Sequence, residues 1–252
     1  MLKVVVLGNG NVAAHLCVAF EYSSSVLLLQ NYNRKGEKIS NCNVSVVDNV
    51  NDIVGADVYV VTYSDNSLSQ VYNQVSDLGG IVVHTSGATS MKIFDKFKNF
   101  GVFYPLYSFS KNVEIDFSKV AIAVEANTEN NELILQRLAK SITNNVYNIN
   151  SEQRKIIHIA AVFVNNFTNF MFSQAKEICD KSGVDFKILQ PLIHQTAHKI
   201  NSSTPQLVQT GPAIRKDSKT IDNHLAILDK TNQKEIYSFL TEAIQKYYEE
   251  KL

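Results

Sequence analysis

Along the first 150 residues, short apolar runs alternate with stretches whose apolar positions recur every three or four residues. KVVVLG, VLLLQNYN, VSVVD, DVYVVTY, IVVHTSG, GVFYPLYSF, KVAIAVEA and NVYNIN read as strands. Between them NVAAHLCVAFEY, NVNDIV, SLSQVYNQVSDL, TSMKIFDKF and NELILQRLAKSI read as helices. Pro105 is expected to break the strand that contains it. Strands separated by helices predict an α/β fold with a parallel, doubly wound sheet covered on both faces. After residue 150 the strand signals stop. Ser151 to about Ser182 reads as one long helix ended by Gly183, with Asp185 capping the next and Pro191 marking a bend or boundary. A polar loop with two prolines, NSSTPQLVQTGPAIRKDS, precedes two more helices near 219–229 and 232–250. The expected domains are therefore 1–150, α/β, and 151–252, all-α.

Composition narrows the class. The chain has 252 residues, 45% of them hydrophobic, and its formal charge is zero with no strongly basic half, which argues against a nucleic-acid partner. Cys17, Cys42 and Cys179 show neither metal nor redox spacing, so a reduced, cytoplasmic protein is expected. The N-terminal segment enters a strand at once and lacks the regions of a signal peptide. The most apolar stretch, IIHIAAVFVNNFTNFMF from Ile156, carries His158, Asn165, Asn166 and Asn169. It is read as a buried helix and not as a membrane span.

The turn after the first strand holds the clearest chemistry. Gly8, Gly10 and Ala13 have the spacing G-x-G-x-x-A, directly after a strand and opening a helix. A tight turn, a site without a side chain and a small residue against the strand are what a pyrophosphate cradle needs, with the amides of Asn11 and Val12 facing the anion. That is the context of a Rossmann-type sheet. At the end of the second strand stand Asn33, Arg34 and Lys35, with no carboxylate among them, which predicts NADP over NAD because cations pair with a 2′-phosphate. Two later strand ends, TYSDNS with Tyr63 and HTSGATS with Ser86 and Gly87, are small and polar and are expected to border a nicotinamide.

In the helical half, His158, Asn165 and Asn169 fall within about 20° of one line at 100° per residue, and Lys176 continues it. A polar line on an apolar helix is either paired inside the core or faces a wet cleft. In QTGPAIRKD, Arg215 can hold a carboxylate or phosphate. His194 and His198 are spaced i, i+4 but lack the glutamate of a catalytic zinc helix, and no metal is assigned.

GNGNVA, YNRK, HTSGA, FYPLYSF and TGPAIRKD occur in an order that resembles the two-domain, Rossmann-like NADP oxidoreductases with a C-terminal helical domain of unknown function. Pyrroline-5-carboxylate reductase, deazaflavin-dependent NADP reductases and β-hydroxyacid dehydrogenases are the wider relatives. The resemblance implies pyrophosphate held by Gly8, Gly10, Asn11 and Val12, a 2′-phosphate held by Asn33 and Arg34, and nicotinamide beside Ser86 and Gly87. It also implies a homodimer through the helical domain. The β-hydroxyacid dehydrogenases use a lysine and an asparagine on the first long helix; here Lys155 and His158 stand near its start and Asn165 further along, but the glycine-rich lead-in of that motif is absent, and Tyr107 replaces a glutamine common in the resembled family. The expected activity is hydride transfer between NADP(H) and a small polar substrate in a cleft between the domains. His158 would be the proton carrier, Asn165 the orienting group and Arg215 the anchor. A non-catalytic NADP-binding sensor or regulatory protein is the alternative, separated from the enzyme by whether small metabolites ever oxidise bound NADPH.

Overall fold

The computed structural model describes residues 1–70, 75, 78–111 and 113–250. The chain divides into two compact units, Met1–Asn166 and Phe167–Leu252.

The first unit is built on an eight-stranded sheet in the order β3-β2-β1-β4-β5-β6-β7-β8. Its strands are β1 (Leu2–Leu7), β2 (Val26–Tyr32), β3 (Ser45–Val47), β4 (Val58–Val61), β5 (Ile81–His84), β6 (Phe100–Leu106), β7 (Ala121–Ala126) and β8 (Val146–Asn148). All pairs are parallel except β6 with β7, so the expected parallel sheet is present with one reversed strand. Among the described residues between them the helical turn is a 3₁₀ one, Phe117–Lys119, and with no α-helix there to carry the chain across the sheet β7 returns antiparallel. Pro105 does not break β6. It pairs with Ile122 of β7, whereas pairing with β5 has already stopped at Val102, so the missing N–H falls on an edge stretch.

The central strands are apolar on both faces because helices cover both. Val4 and Val6 enter one buried cluster with Ala13, Leu16, Cys17 and Phe20 of α1 (Asn11–Glu21) and Leu135 and Leu138 of α2 (Glu129–Lys140). Val5 and Leu7 point the other way, into a cluster with Tyr59, Val61, Phe94 and Phe97. The i, i+3, i+4, i+7 spacing of the buried α1 residues is the stripe that makes this segment a helix against a sheet. In α2 the Thr128 side chain caps the Asn131 amide, with Glu129 and Glu132 in the first turn and Arg137 and Lys140 in the last. The helix expected over TSMKIFDKF is only a 3₁₀ turn, Met91–Phe94. Of SLSQVYNQVSDL, residues 68–70 are helical, and most of the remainder lies outside the described residues.

After β8 every described element is helical. α3 (Ser151–Ala161) begins on a capping box of Asn150 and Gln153, continues through a π-helical turn, Val162–Phe167, and passes into α4 (Thr168–Lys181). The continuous helix matches the expected span, but its burial does not. Ile156, Phe163 and Val164 are 66%, 63% and 74% exposed, so the reading of a buried helix is corrected. By length and mean hydropathy (1.3) Ser151–Lys181 is also long and apolar enough to cross a membrane.

In the second unit Asp185 caps a 3₁₀ turn, Phe186–Leu189, and Pro191 sits in the first turn of α5 (Gln190–Lys199). Asp217 caps α6 (Ser218–Ile227), and α7 (Asn232–Glu249) ends the chain's helices.

Candidate functional site

β1 lies between β2 and β4, so the chain reverses its winding direction there. In open α/β sheets the ligand crevice lies outside the carboxyl ends of the strands at such a point. The two segments that meet there are the glycine turn after β1 and Thr62–Tyr63 after β4. Gly8 has φ +129, and a Cβ on it would lie 2.2 Å from Thr62 Oγ1. Asn31, fully buried at the end of β2, donates from Nδ2 to the carbonyls of Val6 (3.1 Å) and Gly8 (2.8 Å), and the Gly8 amide donates to Tyr32 (2.8 Å). The turn is thereby fixed before any ligand arrives.

Gly10 is the opposite case. It is the N-cap of α1, no side chain caps it, and a Cβ there would meet nothing within 4 Å. The amides of Asn11, Val12 and Ala13 open the helix with no carboxylate in the first turn. The Asn11 side chain is committed to the Phe109 carbonyl (3.0 Å), so Asn11 contributes its backbone and not its amide group. A cleft of about 1040 Å³ opens on Asn9, Gly10 and Asn11, reaches Glu37 and runs on along α1 past His15 and Tyr22, without Thr62 or Tyr63 in its lining. An uncapped helix N-terminus beside a space that a side chain would fill fits a pyrophosphate.

The β2 end is less simple than its sequence. Asn33 is buried and organises the loop: its Nδ2 donates to Asn31 Oδ1 (2.9 Å) and the Glu37 carbonyl (2.9 Å), and its Oδ1 accepts from the amides of Lys35 and Glu37. Lys35 pairs with Glu37 at 3.6 Å. Glu37 in turn accepts from Asn9 Nδ2 at 3.0 Å, so a carboxylate does stand at this corner, carried back by the turn through Gly36. Arg34 is exposed, with one long contact to Gln70 (3.4 Å), and is a cation that a phosphate at this corner can meet. The Tyr63 ring packs on Gly8, and burial pushes its hydroxyl up to about 12.

A second group of residues, distant in sequence, gathers at the end of β5. A Cβ on Gly87 would lie 2.6 Å from His158 Nδ1 and 2.8 Å from Tyr104 Cζ, so only glycine lets both rings close over this loop. Tyr104 Oη and His158 Nδ1 are 3.2 Å apart. Ser86 is buried, and its Oγ accepts from the amides of Ala88 (3.2 Å) and Thr89 (2.9 Å), which shapes the loop that presents Gly87. The Ser86 amide donates to His84 Nδ1 (3.2 Å), and burial, followed by the Arg154 charge, lowers His84 to about 4. His84 is therefore a neutral part of the floor.

The helix that carries His158 is held by Arg154, one turn earlier. Arg154 is 1% exposed, pairs with Glu125 at the end of β7 and donates to the Thr89 carbonyl on the Gly87 loop. Ser151 adds hydrogen bonds to Glu125 from its amide (2.9 Å) and hydroxyl (2.9 and 3.0 Å). Tyr104 and Arg154 are the members of this cluster that the sequence alone does not single out. Arg154 had a signal: it precedes His158 by four on the same helix face.

The aligned polar stripe does not survive intact. The π-helical turn lies between His158 and Asn169, and residues there advance by less than 100°, so the line is broken in phase. Asn165 and Asn169 are exposed. Arg215 belongs to the second unit, exposed in the turn before α6.

Comparison with known proteins follows this geometry. A family described as a domain of unknown function, DUF2520, matches residues 120–244. No curated protein matches the chain. The crystal structure of a protein named putative NADP oxidoreductase from Bacteroides fragilis is 32% identical, with a TM-score of 0.90 over 97% of this chain and 98% of that one. An imine reductase from Myxococcus stipitatus in complex with NADP⁺ is 16% identical (TM-score 0.65, 98% and 93% covered). Plasmodium falciparum pyrroline carboxylate reductase with NADP bound is 12% identical (TM-score 0.64, 98% and 96% covered). At these last identities the likeness is one of fold. With the glycine turn at the switch point of the sheet and the match over its whole length, the chain belongs to the Rossmann-like NADP oxidoreductase family that carries a DUF2520 C-terminal domain.

Proposed function

We propose that the chain is an NADP-dependent oxidoreductase acting on a small molecule. The observation that carries this reading is the meeting of Gly87, expected beside a nicotinamide, with His158, expected as proton carrier, through Tyr104. Gly8, Gly10 and the amides opening α1 hold the pyrophosphate, and Arg34 meets the 2′-phosphate. The bound nicotinamide supplies hydride exchange with a carbonyl or imine carbon.

The residues of the chain handle the proton. In the neutral ring the Tyr104 hydroxyl donates to His158 Nδ1, and Nε2 keeps its proton. In the imidazolium, Nδ1–H donates to the Tyr104 oxygen and Nε2–H is free to protonate the substrate. Loss of that proton leaves the Nδ1–H tautomer, which the same oxygen still accepts. Tyr104 thus serves both states and directs Nε2 toward substrate, while Arg154 and Glu125 fix the ring's position. Asn165, on the same unit as His158, is assigned orientation of the substrate. The exposed apolar residues of the helix 151–181 support a homodimer formed through it.

Calorimetric titration with NADPH and NADH tests the reading. Wild type should prefer NADPH. Arg34→Ala should weaken NADPH about tenfold, or about 1.4 kcal/mol, and leave NADH alone. Glu37→Gln should tighten NADPH, because it removes a negative charge from the phosphate corner. His158→Ala should retain NADPH binding and lose turnover. If neither nucleotide binds, the glycine turn is only a turn and the proposal fails.

A further inference from the structure

A second cavity lies on the first unit, against β6, β7 and the start of α3. Its volume is about 250 Å³. Leu106, Ala123, Ile149 and Ile157 give it apolar walls, and Tyr104 and Arg154 also line it. Tyr104 therefore belongs both to this cavity and to the cluster with His158 and Gly87. We infer that the cavity receives the apolar body of the substrate, a compact uncharged molecule carrying one hydrogen-bond acceptor. The inference rests on the reading of the Gly87, Tyr104 and His158 cluster as the reacting end.

Size and charge decide the class. An apolar cavity of roughly 150 Å³ is enough to hold benzene, so this one takes a six-membered ring with a substituent. Arg154 is the charged group on its lining, and Glu125 already neutralises it. A carboxylate entering here would lose water without gaining a free counter-charge. The Tyr104 hydroxyl, by contrast, accepts from Nδ1–H when His158 is the imidazolium, and its own proton is then free for a single neutral acceptor such as a carbonyl oxygen. The ring meanwhile contacts Leu106, Ala123, Ile149 and Ile157. The expectation of a small polar substrate is thereby narrowed to a molecule polar at one end only.

The test uses cyclohexanone as the probe, with pyruvate as the small charged comparison, on the full chain by saturation-transfer NMR. Ala123→Leu fills the cavity from the sheet, and Ile157→Phe fills it from the helix, so one variant carries the test if the other does not fold. The expected result is transfer to the cyclohexanone ring in wild type, at least fivefold less in each folded variant, weaker transfer to pyruvate, and unchanged NADPH affinity throughout. Equal transfer in wild type and both variants, no transfer in wild type, or a preference for pyruvate would overturn the inference. Cavity-dependent cyclohexanone binding in a protein that binds no NADPH would support the cavity and overturn only the cofactor reading.

Discussion

Gly8 and Gly10 stand two residues apart and are glycine for opposite reasons. Gly8 holds a positive φ against Thr62, so a side chain there collides with the protein itself. Gly10 has an ordinary φ of −74 and open space where its side chain would be, so a methyl group there collides only with a ligand. Gly10→Ala should leave the melting temperature within a degree or two and weaken NADPH about tenfold or more. Gly8→Ala should lower stability by about 1–3 kcal/mol, measured by denaturant unfolding, whether or not nucleotide is present. Equal effects of both substitutions on folding would remove the cradle from the account. At this scale the sequence was informative where a residue acts through its own backbone, as at Gly8 and Gly10. It was silent where a residue acts through a partner far along the chain. Tyr104 lay inside a quoted motif, yet its importance depends on His158 arriving from another element. Glu37 was passed over because only the turn through Gly36 brings it back to Asn9.

The attachment of α3 to the sheet is the corresponding problem at the scale of elements. Its only fully buried residue is Arg154, which joins Glu125 of β7 and the Thr89 loop. Breaking such a pair from one side leaves a buried charge, at a typical loss of 3–5 kcal/mol. Arg154→Met should therefore destabilise the first unit by about that amount, and Arg154→Met with Glu125→Gln should recover part of it. Urea unfolding of wild type, both single variants and the double variant measures the coupling, and additive effects would show that the pair does not hold the helix. The order of strands and helices was legible from periodicity because the central apolar runs of β1, β4 and β5 are buried on both faces. The reversed strand β7 and the short turn at Met91–Phe94 were not, since both depend on what fills the space between β5 and β7. The π-helical turn was equally hidden: Val162–Phe167 has the composition of any apolar helix, and only the backbone shows that the polar line from His158 is put out of phase.

For the whole molecule, the helix Ser151–Lys181 poses the largest unmet burial. Ile156, Ile159, Phe163, Val164, Phe167 and Phe170 are between 47% and 74% exposed. Single exposed apolar residues are normal, but a run of this size on one helix marks an interaction surface. A bilayer and a second copy of the chain make different demands on it. The same helix carries His158, Asn165, Asn166 and Asn169, and the ion pairs Lys176–Asp180 (2.5 Å) and Lys181–Glu177 (2.7 Å) sit near its end. A second copy of the chain suits both the apolar run and these polar groups, because a twofold interface places like patches together and leaves polar residues at the rim. Light scattering in detergent-free buffer should give twice the 28.2 kDa chain mass. Each large apolar side chain covered in such an interface contributes about 1.5–3 kcal/mol, so Phe163→Asp with Val164→Asp should yield a monomer of lower melting temperature. A wild-type mass of one chain would end the dimer reading, and recovery of the protein only with detergent would return the helix to the membrane.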